Sequence, residues 1–192
     1  MRTFVRTLVT TLPLIIAFSY GVSARDTNGC TSTSFGDFSW TIAAFTYYSS
    51  DIFSTPSHEV ASGSVDFSLN NPALPEKVHC AASSTVLTEF FYGNVNYACT
   101  APAGSKTKTS FAFSRITNGL DINQTWTCSD GDHQHSVTFT GYGAVNLTLD
   151  CQTTYYQNPN YTSPDNGFYS IRTTKCAPVT LPLTPRDKTA VA

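Results

Sequence analysis

An all-β fold, an antiparallel barrel or sandwich of about ten short strands with three disulfides, is what this chain predicts. Three observations carry the expectation. From Phe38 onward apolar residues recur at every second position, the period of a half-buried strand, while the helical period is nearly absent. Turn-forming pairs such as Asn118-Gly119 and Asp130-Gly131 punctuate those runs at short intervals. The six cysteines are an even set, suited to an oxidising compartment.

The elements follow in order. Phe38, Trp40, Ile42 and Ala44 share one face of a first strand, Val65, Phe67 and Leu69 of a second, and Val78, Cys80 and Ala82 of a third. Asn71-Pro72-Ala73-Leu74-Pro75 separates the last two, because its prolines remove ladder donors. Residues 94–151 read as a meander of five strands. Val95, Tyr97 and Cys99 lead to a tip at Pro102 and Gly104, and Thr109, Phe111 and Phe113 lead to Asn118-Gly119. That dipeptide suits a type I′ hairpin, whose two central residues need positive φ. Leu120, Ile122, Gln124, Trp126 and Cys128 return to Asp130-Gly131, followed by Val137 and Phe139. Gly141-Tyr142-Gly143 then reads as a turn before Val145, Leu147, Leu149 and Cys151. Turn formers mixed with aromatics from Tyr155 to Gly167 read as a long loop. Strands at 170–174 and 179–183 close the domain, the last kept to an edge by Pro178 and Pro182. Residues 185–192 read as a disordered tail.

Ahead of this domain, residues 1–24 have the pattern of a secretory signal peptide. Arg2 and Arg6 precede an apolar run from Leu8 to Phe18, and Val22-Ser23-Ala24 is a small-residue cleavage site. A soluble, extracellular product is expected, with a single domain at 25–184. Removing 24 of the 192 residues leaves 168, enough to bury a substantial core. The loss of Arg2 and Arg6 leaves nine Lys and Arg against thirteen Asp and Glu, a net charge of about −4. Nucleic acid and anionic membranes are therefore unfavoured partners. Asn123, Asn146 and Asn160 head N-glycosylation sequons. Alternation along their strands turns Asn123 and Asn146 to solvent, and turns Cys80, Cys99, Cys128 and Cys151 to the apolar face. Buried disulfides are structural more often than catalytic.

Chemistry-bearing clusters are few. His133-Gln134-His135, beside Asp130 and Asp132, could hold zinc or copper, but Asp130-Gly131-Asp132 is already turn chemistry, and the segment is read as a polar hairpin tip. His58 and His79 have no cluster near them. No metal and no cofactor is expected. Glu59, Glu89, Asp66 and Asp121 are the carboxylates a glycosidase could draw on, yet Asp66 and Asp121 alternate with apolar neighbours and face solvent, where no raised pKa arises. A nucleophile elbow, a phosphate loop and a Cys-x-x-Cys pair are all absent. Tyr155, Tyr156 and Tyr161, with Phe168, Tyr169, Tyr47, Tyr48 and Phe53, are candidate recognition aromatics, or rings that pack the long loop onto the domain.

Short motifs across the proposed mature chain resemble the Alternaria major-allergen family, small secreted β-barrel proteins of filamentous fungi. They are Cys30 followed by Gly36-Asp37-Phe38-Ser39-Trp40-Thr41-Ile42 and Phe45, Val65-Asp66-Phe67 ahead of Cys80, Tyr97-Ala98-Cys99, and Val179-Thr180-Leu181-Pro182. The resemblance implies a secreted, non-enzymatic allergen or effector that binds a host defence protein or a small flavonoid ligand and modulates plant immunity. It further implies Cys80 paired with Cys99 and Cys151 with Cys176, with Cys30 and Cys128 left as the third pair. The set of Cys128 with Cys151 and Cys30 with Cys176 stays open. Members with five cysteines link two subunits through the N-terminal one. Here Cys128 offers Cys30 an intrachain partner, so a monomer is expected and a covalent dimer is the alternative. Two other classes of function stay open on the residues alone: a fungal cell-wall or spore-surface structural protein, and a carbohydrate-active or metal-dependent enzyme.

Overall fold

The computed structural model describes residues 29–132, 135–162 and 167–192. The expected signal peptide lies outside them. A short helix, α1 (Cys30–Phe35), precedes β1 (Trp40–Thr55), β2 (His58–Asn70), β3 (Lys77–Ser84), β4 (Tyr97–Ala98), β5 (Lys108–Ser114), β6 (Gly119–Asp132), β7 (His135–Asn146), β8 (Cys151–Gln157), β9 (Ser170–Cys176), β10 (Val179–Leu183) and β11 (Asp187–Val191). They form two antiparallel sheets and no closed barrel, so the sandwich form of the expected fold is the one adopted. One sheet runs β3-β2-β1-β9-β8 with β10 also on β1, and the other runs β11-β7-β6-β5-β4.

Strand β1 organises the first sheet. It pairs with β2 along its length, with β10 over Trp40–Phe45 and with β9 over Tyr48–Phe53. The register shifts between Ala43 and Thr46, where Ala44 adopts φ 54° and donates its N–H to Thr180 Oγ1 at 2.9 Å. This bulge corrects the expected parity. Ala44 is exposed, and the inward set changes from Trp40 and Ile42 to Phe45, Tyr47, Ser49 and Asp51.

Between the sheets lies an aromatic core. Trp40, Phe45, Phe67, Phe111, Phe113, Trp126 and Phe139 are all at most 1% exposed, and the Phe67 and Phe111 rings meet edge to face at 5.1 Å. One polar chain crosses it: Asn71 Nδ2 donates to Gln124 Oε1 (2.9 Å), and Gln124 Nε2 donates to Thr109 Oγ1 (3.1 Å). Every member is buried and partnered, so the desolvation cost is offset by hydrogen bonds.

The disulfides are Cys30–Cys128, Cys80–Cys99 and Cys151–Cys176, and none of the six cysteines is free. Cys80, Cys128 and Cys176 are buried, and their partners are half-buried. Cys30 staples α1 to β6. There Trp126 Nε1 donates to Ser34 Oγ (2.8 Å), and the Phe35 ring lies 5.0 Å from that of Phe139. A helix this short has no amphipathic period to read; the staple and the buried serine hold it.

Four further readings change. Gly141-Tyr142-Gly143 is no turn but the middle of β7. Its glycines leave room for neighbours: a Cβ on Gly141 would stand 2.9 Å from Trp40 Cζ2, and one on Gly143 would stand 3.1 Å from Leu183 Cγ. Ser114 pairs with Gly119, so the β5–β6 hairpin has a four-residue loop in which Asn118 alone takes positive φ, and no two-residue type I′ turn. The first part of the expected loop after Cys151 is strand β8, exposed on both faces and so without alternation. The expected disordered tail contains β11, which pairs with β7 from Asp187↔Tyr142 to Val191↔Thr138.

Candidate binding cleft

Beyond the bulge, β1 turns Tyr47, Ser49 and Asp51 inward, where a continuous sandwich would carry apolar side chains. They face a cleft of about 210 Å³ instead. Strand β9 adds Arg172 and Thr174, in register with Asp51 and Ser49, and β8 adds Thr153 in register with Thr174. The loop between β3 and β4 supplies Thr88 and Glu89, and the β5–β6 loop supplies Arg115.

That first loop is pinned from two sides. Phe90, 4% exposed, lies over Gly63 of β2, where a Cβ would stand 2.7 Å from the Phe90 ring. Tyr92 Oη accepts the N–H groups of Thr88 (2.7 Å) and Glu89 (3.2 Å) and donates to Leu87 O (2.7 Å). Arg115 is held by Asn118 Oδ1 (2.6 Å) and lies over the Tyr47 ring at 4.9 Å.

Asp51 is the polar centre. Its Oδ2 accepts a hydrogen bond from Arg172 Nε at 2.7 Å, whereas Oδ1 is buried and has no partner among the described residues. The Asp51 carboxylate holds the Arg172 guanidinium above its ordinary value, chiefly through that bond. Burial pushes the Tyr47 phenol up, and Ser49 and Arg115 pull it partly back.

A second hollow, of about 260 Å³, adjoins the first through Arg172, which lines both. Its other walls are Phe53, Pro56, Tyr155, Tyr169 and Ser170. Larger depressions of about 470 and 480 Å³ lie beside Gln152 and Lys175 and beside Lys108 and Asn123, but among the described residues neither is lined by a buried polar atom lacking a partner.

The candidate recognition tyrosines do not form one surface. Tyr155, 61% exposed, faces the aromatic hollow. Tyr156 projects from the opposite face of β8 against Phe168 (5.8 Å), and Tyr161 packs edge to face on Tyr169 (5.3 Å). Tyr47 is buried in the cleft wall and Tyr48 lies on the outer face. Asn123, Asn146 and Asn160 are exposed. His133 and Gln134 lie outside the described residues. Among those described, the one group with metal-ligand spacing is Cys30, Cys128 and Asp130, whose two sulfurs are bound to each other. Asp66 accepts from or pairs with His79 (2.9 Å) on the outer face, and Asp121 accepts from Tyr142 Oη (3.2 Å).

The family model described as Alternaria alternata allergen 1 matches residues 42–176. The chain belongs to the Alternaria alternata allergen 1 family. The matched span of this allergen-family chain includes every residue lining the cleft and the aromatic hollow, and leaves α1, β10 and β11 outside. No curated protein and no solved structure matches it. Of the cleft residues, the sequence marks Tyr47 as a candidate recognition aromatic and Glu89 as a candidate acid, and does not mark Asp51. The available signal was the pair of polar residues at alternate positions 49 and 51, which becomes inward-facing only once the bulge at Ala44 is known.

Proposed function

We propose that this allergen-like protein is a secreted, non-enzymatic effector that works by binding, taking a small ligand or part of a host extracellular protein in the cleft and thereby modulating plant immunity. The observation that carries the reading is the buried, unpartnered Asp51 Oδ1 in a cleft lined by hydroxyls, two guanidiniums and the Glu89 carboxylate. An unsatisfied buried acceptor costs about 1–3 kcal/mol, a cost that an incoming donor removes. Three disulfides support an extracellular setting, and the absence of a free cysteine supports a monomer. Exposed Asn123, Asn146 and Asn160 suit glycan attachment.

The test is infiltration of purified protein into leaf tissue, with the oxidative burst as readout, comparing the unsubstituted chain with Asp51→Asn. A response that depends on Asp51 supports the reading. Equal responses, or a protein recovered wholly with cell-wall material, would remove the cleft from the mechanism.

A further inference from the structure

The cleft and the aromatic hollow meet at Arg172, and we infer that they act as one site whose ligand is a neutral saccharide of at least two units. The inference rests on the reading of the cleft as a binding site and names the chemistry that fills it. Two carboxylates, Asp51 and Glu89, face two guanidiniums, Arg115 and Arg172, so formal charge in the cleft cancels. Neither an anion nor a cation is selected by such a balance. What the walls offer is hydrogen bonding: an orphaned carboxylate oxygen that needs a donor, and the hydroxyls of Tyr47, Ser49 and Thr153, which both give and accept.

A ligand matching that surface carries several hydroxyls pointing in different directions. A flat phenol would fill the aromatic hollow and leave Asp51 Oδ1 without a donor. A sugar ring has a hydroxyl edge for the cleft and C–H faces for an aromatic wall. Tyr155 and Phe53 provide that wall, and Arg172 stands at the junction of the two hollows. One ring therefore enters the polar cleft edge-on while the next lies against Tyr155. Tyr155 has the exposure such a platform requires, being 61% accessible, and it shares its face of β8 with Thr153 of the cleft, whereas Tyr156 lies on the opposite face.

The test is titration of the full secreted chain by NMR and calorimetry with cellobiose, diacetylchitobiose and a galacturonic acid dimer, with catechol as the flat control. A neutral disaccharide is expected to bind more tightly than its monosaccharide. Asp51→Asn and Tyr155→Ala are each expected to weaken it by about tenfold. Because Asp51 is buried, Thr153→Val and Tyr155→Ala, at exposed positions, keep the test valid where the first variant fails to fold. Binding of catechol alone would overturn the saccharide and leave the cleft as a binding site. Binding of the acidic dimer alone would overturn the charge argument. No binding of any probe at tens of millimolar would overturn the saccharide, while the leaf response to Asp51→Asn separately decides the reading of the cleft.

Discussion

Gly141 of β7 lies against the indole of Trp40, which fills the space a side chain at that position would need. Gly141→Ala therefore forces the ring or the strand to move, at about 1–3 kcal/mol for overpacking. Urea unfolding followed by tryptophan fluorescence should show a lower midpoint with an unchanged slope. An unchanged midpoint would mean that the glycine is there for another reason.

Arg172 and Asp51 provide a second prediction. The Arg172 side chain is 53% exposed and that of Asp51 only 5%, so solvent screens the pair from one side. Arg172→Ala should cost about 1–2 kcal/mol, less than a fully enclosed pair, because the carboxylate is left buried with neither oxygen partnered. Arg172→Lys should recover only part of this, since a lysine cannot reproduce the guanidinium geometry. Equal stability of all three chains in thermal unfolding would show that the pair adds nothing to the fold.

The polar chain in the core gives a third. Replacing Gln124 by Leu removes the acceptor of Asn71 Nδ2 and the donor to Thr109, at about 1–3 kcal/mol. Hydrogen exchange at Ala73, whose N–H donates to Asn71 Oδ1 (2.9 Å), should accelerate. Unaltered protection there would show that the turn holds without the chain.

The fourth concerns acid. Asp130 accepts hydrogen bonds from the Thr31 side chain and its N–H (3.0 Å), and the Thr31 hydroxyl is the main cause that lowers its pKa below the ordinary value. A depressed folded-state value gives stability that is present above the ordinary carboxylate range and is lost as pH falls through the folded value. Exchange of the α1 amides should therefore quicken as pH drops below about 4, after correction for intrinsic rates. Asp130→Asn should already show quick exchange at neutral pH. A pH-independent opening of α1 would leave Cys30–Cys128 and the buried Ser34 as its anchors.

Much of the core could be read directly. Val65, Phe67 and Leu69 on β2 and Leu120 through Cys128 on β6 alternate without interruption and are buried as their parity requires. The misreadings share a physical cause. Gly141 and Gly143 carry the same signal in a turn as under a tryptophan ring, and only the third dimension separates the two. Strands β8 and β11 are exposed and gain their identity from backbone pairing, which leaves no trace in side-chain polarity. The cleft was hidden because one residue, Ala44, shifts the parity of β1 and thereby decides which face Asp51 occupies.

Strand β1 pairs with β2 on one edge and with β9 and β10 on the other. During synthesis β2 follows at once, while β9 and β10 emerge near the end of the chain. Between those moments β1 presents an open row of N–H and C=O groups over sixteen residues. Pairing over such sequence distances is slow. The nascent protein thus passes through a stage in which its most central strand is its most adhesive, and yield on expression should track how well a folding compartment shields that edge.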